Sequence, residues 1–212
     1  MIPAARRNDA GLARRAMPPF NHFDILAPFY DRLIRPMEET PLVQLMNLPL
    51  GGDLLDLGGG TGRASAAFTE QAARVVVADA SQNMLAQSAQ KDGLMAVATL
   101  GESLSLASDA FAGVIIVDAL HHMADQAGSL REMWRVLAPG GRLIVEEPDI
   151  QYLSVKIVAT LEKLALMGSR FIPAEDVAAI LESCGAQTHI VRESYTFWVV
   201  ADKPERGEID PS

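Results

Sequence analysis

Two groups of residues in this chain have types and spacings that could do chemistry. The first is the stretch LLDLGGGTGRAS, Leu54 to Ser65, where four glycines fall within five residues directly after a short apolar run that carries Asp56. Glycine costs backbone entropy, so some gain must offset it. The gains open to it are close backbone approach to a ligand, or a turn that residues with a Cβ cannot make. The second group is His121 and His122, followed by Glu146, Glu147 and Asp149. An imidazole is partly neutral at pH 7 and can take a proton, and the carboxylates can polarise a substrate. A hard metal ion is not expected there, because the spacing matches no ligand motif and adjacent strand residues point to opposite faces.

The elements that must position these residues follow a regular grammar. DLLDL reads as a short apolar strand, followed by the glycines and an alanine-rich helix over Arg63 to Ala72. RVVVAD is a buried strand ending at Asp79. SQNMLAQSAQK opens with Ser81 as a helix N-cap. LMAVAT gives a third strand and FAGVIIVDAL a fourth. Asp125 caps a helix whose Leu130, Met133, Trp134 and Leu137 share one face. PGG at 139–141 ends it and turns into a fifth strand, RLIVEE. Strands alternating with helices predict a mainly parallel sheet covered on both faces. An apolar helix over Tyr152 to Met167 follows, then one after Pro173 with Val177, Ile180, Leu181 and Cys184 on one face. QTHIVRES and YTFWVVAD are two strands close enough to pair antiparallel.

Glycines between a first strand and a helix lie at the carboxyl edge of such a sheet, where ligands bind. A phosphate-cradling P-loop is absent, because Gly62 is followed by Arg63 and not by Lys and Ser/Thr. The dinucleotide pattern G-x-G-x-x-G fits poorly from either Gly58 or Gly60. What fits is glycine at 58, 60 and 62 with Asp56 two residues ahead.

That D-x-G-x-G-x-G spacing resembles the first motif of class I S-adenosylmethionine-dependent methyltransferases, and further segments follow in order. ADASQNML resembles the family's acid–x–Ser–x–x–Met segment, and VDALHHM its fourth-strand motif. MWRVLAPGGRLIVEEP resembles the helix–turn–strand segment of the group related to ubiquinone and menaquinone C-methylation (methyltransferase type 11). FDILAPFYDRL is similar to the N-terminal helix that closes their cofactor site, and RFIPAEDVAAILESCGA to the segment before the last two strands. The likeness runs from about Phe23 to Lys203. It implies a Rossmann-like α/β fold: a seven-stranded, mostly parallel sheet with helices on both faces and the last strand antiparallel.

The resemblance also implies S-adenosyl-L-methionine as cofactor. Gly58, Gly59 and Gly60 would run against its methionine part, Asp56 would orient the turn, and Asp79 would hold the ribose. Ala80, Ser81, Gln82 and Met84 would line the ribose and adenine edge, with Gly101, Glu102 and Asp118 also on the cofactor side and Tyr30 reaching from the N-terminal helix. Relatives usually carry an Asp for the adenine amino group where this chain has Leu100, so Glu102 or the Gly101 backbone would have to serve. His121, His122 and Glu146 are the catalytic candidates.

The 212-residue length suits one domain: residues 21–203, with 21–50 an N-terminal helical cap, 51–148 a cofactor-binding core, and 149–203 the substrate-side helices and last strands. Residues 1–20 read as a disordered arm and 204–212 as a tail. The net charge of −9 argues against a nucleic-acid partner. One cysteine excludes an internal disulfide and fits a reducing compartment. With no spanning run and no signal-peptide stretch, a cytoplasmic protein without membrane insertion is expected. Phe20, Phe23, Phe29, Met37, Leu153, Ile157 and Leu161 could line an apolar acceptor pocket. The expected function is methylation, at carbon or oxygen, of a small hydrophobic or aromatic molecule. The rival readings are non-methylating chemistry with the same cofactor, and a cofactor-binding protein without catalysis.

Overall fold

A computed structural model describes residues 41–152 and 169–206. The residues predicted for the N-terminal arm and most of the cap, Tyr30 among them, lie outside that range, as do 153–168 of the helix expected after Tyr152. Seven strands form one sheet: β1 (Leu54–Leu57), β2 (Val75–Asp79), β3 (Leu94–Ala98), β4 (Phe111–Val117), β5 (Leu137–Pro148), β6 (Gln187–Glu193) and β7 (Thr196–Asp202). Their order is β3-β2-β1-β4-β5-β7-β6. Strands β1 to β5 pair in parallel, and β7 runs antiparallel to both β5 and β6. The expected fold class is therefore observed, down to the single reversed strand.

Burial explains the strand sequences. Leu54, Leu55, Leu57, Val75, Val77, Val114, Ile115 and Ile116 are all essentially inaccessible. Central parallel strands are covered on both faces and so read as continuous apolar runs. One face meets helices α3 (Gln126–Val136), through Leu130, Met133 and Val136, and α4 (Ala174–Glu182), through Val177 and Leu181. The other face meets α1 (Pro41–Leu45), through Leu42, together with Met46, Ala64 and Phe68. Helix α2 (Gln82–Ser88) starts at Ser81, whose hydroxyl accepts from the Met84 N–H, and Asp125 caps α3 by accepting from Gly128. Both N-caps stand where the side-chain chemistry placed them.

Two local expectations are corrected. Arg63 to Ala72 is no regular helix; it is a run of turns with a 3-10 segment at Ser65–Phe68. Gly62 starts it in the left-handed region, Ser65 is tied down to Asp56, and Phe68 is drawn fully into the core. Nor does PGG at 139–141 separate helix from strand. Helix α3 stops at Val136, and β5 already begins at Leu137, which pairs with Phe111 before the register shifts at Gly113. The glycines stay in the ladder because Gly140 donates to Lys203 and Lys203 donates to Gly141. Leu137 accordingly faces the core from the strand, not from the helix.

Order reverses between β1 and β4, so the crevice outside their carboxyl ends is the topological switch point of the sheet. The middle of the sheet must hold that point rigid. Ile115, opposite Asp56 and fully buried, is one of its anchors. Ile115→Ala is expected to lower unfolding stability by about 2–5 kcal/mol. Urea denaturation should show an earlier midpoint with an unchanged slope.

Candidate cofactor and active site

The three consecutive glycines of the turn divide by what surrounds them. A Cβ on Gly58 would lie 2.6 Å from Ala119 Cβ, and one on Gly59 would lie 2.6 Å from the Asp56 carboxylate. These two are small because the chain packs against them. Gly60 differs. Its φ is +55°, yet a Cβ there would meet nothing nearer than 3.9 Å, where Asp79 Oδ2 and Met84 Sδ stand. The turn leaves an open concavity over Gly60, rimmed by an acid and a thioether.

Asp79, at the end of β2, joins this turn to the next helix. Its Oδ2 accepts from the Gly60 N–H at 2.9 Å, and its Oδ1 accepts from the Ser81 N–H at 2.7 Å. Ser81, the N-cap of α2, and Met84 within that helix are buried. Asp56 lies fully buried under the glycine turn. Its Oδ2 accepts from Ser65 Oγ at 2.5 Å, while Oδ1 has no hydrogen-bond partner among the described residues. Burial, and to a smaller degree Asp79, pushes the Asp56 carboxyl up to about 7, against the bond from Ser65 and the charge of Arg63.

On the far side, Leu100 is about half exposed and Glu102 half-buried, whereas Gly101 is buried. A Cβ on Gly101 would run into Met123 Sδ and Ser129 Oγ. Met123 also sits 3.2 Å from a Cβ built on Gly58, so it spans both loops. Sequence reasoning passed over it, because a lone methionine after a strand carries no signal.

The turn after β4 gathers the catalytic candidates. Asp118 has φ +50° and lies 3.6 Å from Arg63, the cation of this edge that the sequence reading also missed. Loss of water around Asp118 and the nearby Glu147 raise its carboxyl above the usual range, opposed by Arg63 and His121. Leu120–His122 form a 3-10 turn. His121 is buried, with Nδ1 2.5 Å from Glu147 Oε2 and its ring stacked 4.3 Å from Phe171. His122 Nδ1 lies 3.2 Å from Ser169 Oγ. Burial and the neighbouring His121 drive His122 down to about 3, so it stays neutral but is a poor base. Glu146 points to the opposite face of β5. There it accepts from Trp198 Nε1 at 2.7 Å, and burial raises it to about 7. The structure thus brings Asp56, Gly60, Asp79, Asp118 and His121 to one sheet edge and gives the three catalytic candidates different partners. Asp149 lies beyond them, taken up by Arg192 and the Gln151 N–H. No group of three or more His, Cys, Asp or Glu among the described residues is arranged to hold a metal ion.

This geometry agrees with what the chain is similar to. Residues 55–145 match the family model described as a methyltransferase domain. Demethylmenaquinone methyltransferase of Corynebacterium urealyticum is 34% identical over 156 residues, which span 72% of this chain and 64% of that protein. A ubiquinone/menaquinone biosynthesis C-methyltransferase of Klebsiella pneumoniae is 36% identical over 117 residues, 49% of this chain and 47% of that one. The chain therefore spans roughly half to two-thirds of the length of these curated relatives. Among solved structures, a SAM-dependent methyltransferase from Thermotoga maritima superposes with a TM-score of 0.69 at 18% identity, over 85% of this chain and 98% of that one. The name of that Thermotoga structure refers to S-adenosylmethionine. The sheet edge of this chain has features that would suit such a molecule: an open cradle at Gly60, a carboxylate at the rim, and a buried acceptor atom on Asp56. Among the described residues no helix is long and apolar enough to cross a membrane.

The elevated Asp56 carboxyl has a measurable sign. The folded domain holds this proton more tightly than the unfolded chain, so its contribution to stability is complete below about pH 4 and is lost as pH rises towards 7. Asp56→Asn removes that titration. Relative to the wild type, the variant should gain stability steadily from pH 4 to 7 and level off above. Urea midpoints of both proteins across that range check this; a difference independent of pH would contradict it.

Proposed function

We propose that this chain is an S-adenosylmethionine-dependent methyltransferase that acts on a small apolar aromatic molecule, with a quinone-like ring the first class to try. The observation that carries the reading is the open cradle over Gly60 beside the Asp79 carboxylate, at the switch point of a sheet whose residues 55–145 match a methyltransferase domain. Two supports bear on the acceptor. The relatives' names refer to menaquinone and ubiquinone. The turn that carries His121 is closed by Phe171, directly after the apolar 152–168 segment.

In this reading Asp79 accepts from the ribose hydroxyls through the lone pairs not used by Gly60 and Ser81. Asp56 and the glycine turn face the amino-acid end, and Met84 and Met123 give apolar contact to the nucleoside. S-adenosylmethionine, when bound, supplies a methyl group already activated on a sulfonium. Holding the two reactants in line then provides most of the acceleration. An acceptor that must lose a proton needs a base. His121 is the residue we assign to it: it sits at the functional edge, backed by a carboxylate. His122, too weakly basic, shapes the loop through Ser169.

Two measurements test this. Asp79→Ala removes a charged acceptor and should weaken S-adenosylhomocysteine binding by about tenfold to a hundredfold, a loss of roughly 1.5–3 kcal/mol, in calorimetry. Unchanged affinity in a folded variant would sink the ribose assignment. Transfer of labelled methyl to a panel of hydroquinones and phenols identifies the acceptor class, and His121→Gln should then cut the saturated rate by about a hundredfold or more. A rate within a few fold of wild type would remove His121 as base.

A further inference from the structure

Glu147 is the most fully engaged carboxylate at this sheet edge. Only 3% exposed, it accepts from the Ala119 N–H at 3.0 Å and the Leu120 N–H at 2.6 Å through Oε1, while Oε2 meets His121 Nδ1 at 2.5 Å. Both oxygens of this carboxylate are thus engaged, one by two backbone N–H groups and the other by a ring nitrogen. An ionised carboxylate is an acceptor only, so the ring nitrogen facing it must carry hydrogen. A neutral imidazole has one N–H and one basic lone pair. With the hydrogen on Nδ1, the lone pair is on Nε2.

We propose that Glu147 is a positioning residue that sets the tautomer of His121, keeping hydrogen on Nδ1 so that Nε2 is the atom that takes a proton. This rests on the reading of His121 as base. Two neighbours hold the arrangement. Phe171 stacks on the imidazole with planes 13° apart and fixes the plane of the ring, while the Glu147 contact fixes which nitrogen lies on that side. The His122 ring, 3.9 Å away by centroids, adds no competing charge because it stays neutral. When Nε2 takes the acceptor's proton, the imidazolium formed is already paired with Glu147, and no group has to move to stabilise it.

Glu147→Gln separates this role from that of holding the turn. The amide oxygen can still accept from Ala119 and Leu120, but the amide NH2 now faces Nδ1, which must become an acceptor. Hydrogen then moves to Nε2 and the base is lost. Nitrogen-15 NMR of histidine-labelled protein at pH 8, without any acceptor, should report Nδ1–H for wild-type His121 and Nε2–H for Glu147→Gln. Saturated turnover should fall about as far as in His121→Gln, with S-adenosylhomocysteine affinity within threefold of wild type. The double variant should be no slower than either single one, and Glu147→Asp should recover part of the rate. A wild-type His121 protonated on Nε2, or an unchanged tautomer in the variant, overturns the proposal, and the wild-type spectrum alone can do so if the variant does not fold. Because the tautomer is read without substrate, its failure is distinct from a failure of the methyl-transfer reading, which the rate of His121→Gln decides.

Discussion

At the carboxyl edge of a parallel sheet the chain leaves the ladder, and the N–H groups of the following turns lose their strand partners. A buried N–H without an acceptor is costly. This protein meets that constraint with side-chain carboxylates. Asp79 takes the N–H groups of Gly60 and Ser81, Glu147 takes those of Ala119 and Leu120, and Asp149 takes that of Gln151. Each acid stands at or just beyond the end of a strand and reaches a turn that begins elsewhere in the chain or immediately after it. The turns that frame the crevice are thus held by charge-assisted bonds, which are shorter and stronger than neutral ones.

Solving a backbone problem with acids creates an electrostatic one. Asp56, Asp118, Glu146 and Glu147 gather within a region where Arg63 is the opposing cation. Little water reaches Asp56 or Glu146, so both hold protons near neutrality. Glu147 differs from them in its partners, with two backbone N–H groups on one oxygen and an imidazole nitrogen on the other. The division of labour follows from bonding and not from residue type. Adjacent glutamates on β5 face opposite sides, one to an indole N–H and the other to a backbone turn and an imidazole.

The mainly parallel sheet and its reversed last strand were legible because apolar strands and helices alternate along the chain, and because the last two strands are separated by only a short turn. The cradle was legible because glycines and Asp79 stand at regular offsets. What could not be read depended on partners distant in sequence. PGG looks like a helix stop until Lys203 is seen to bond both of its glycines from across the sheet. Arg63 to Ala72 looks helical until Ser65 is bound by Asp56. The histidines looked equivalent, and only Glu147, twenty-six residues away, and Ser169 tell them apart. Tyr30 and the apolar residues from Phe20 to Met37 and from Leu153 to Leu161 fall outside the described residues.

The glycine run also bears on how such a protein can diverge. Gly58 and Gly59 are packed against Ala119 and Asp56, so any side chain there disturbs the body of the domain. Gly60 has room around it, and replacing it costs chiefly the left-handed backbone, about 1–2 kcal/mol for an ordinary residue. Folding and ligand capture are therefore written on different letters of one motif. A duplicated copy could lose its ligand through a single change at residue 60 and still fold, leaving an intact scaffold free to drift towards another task.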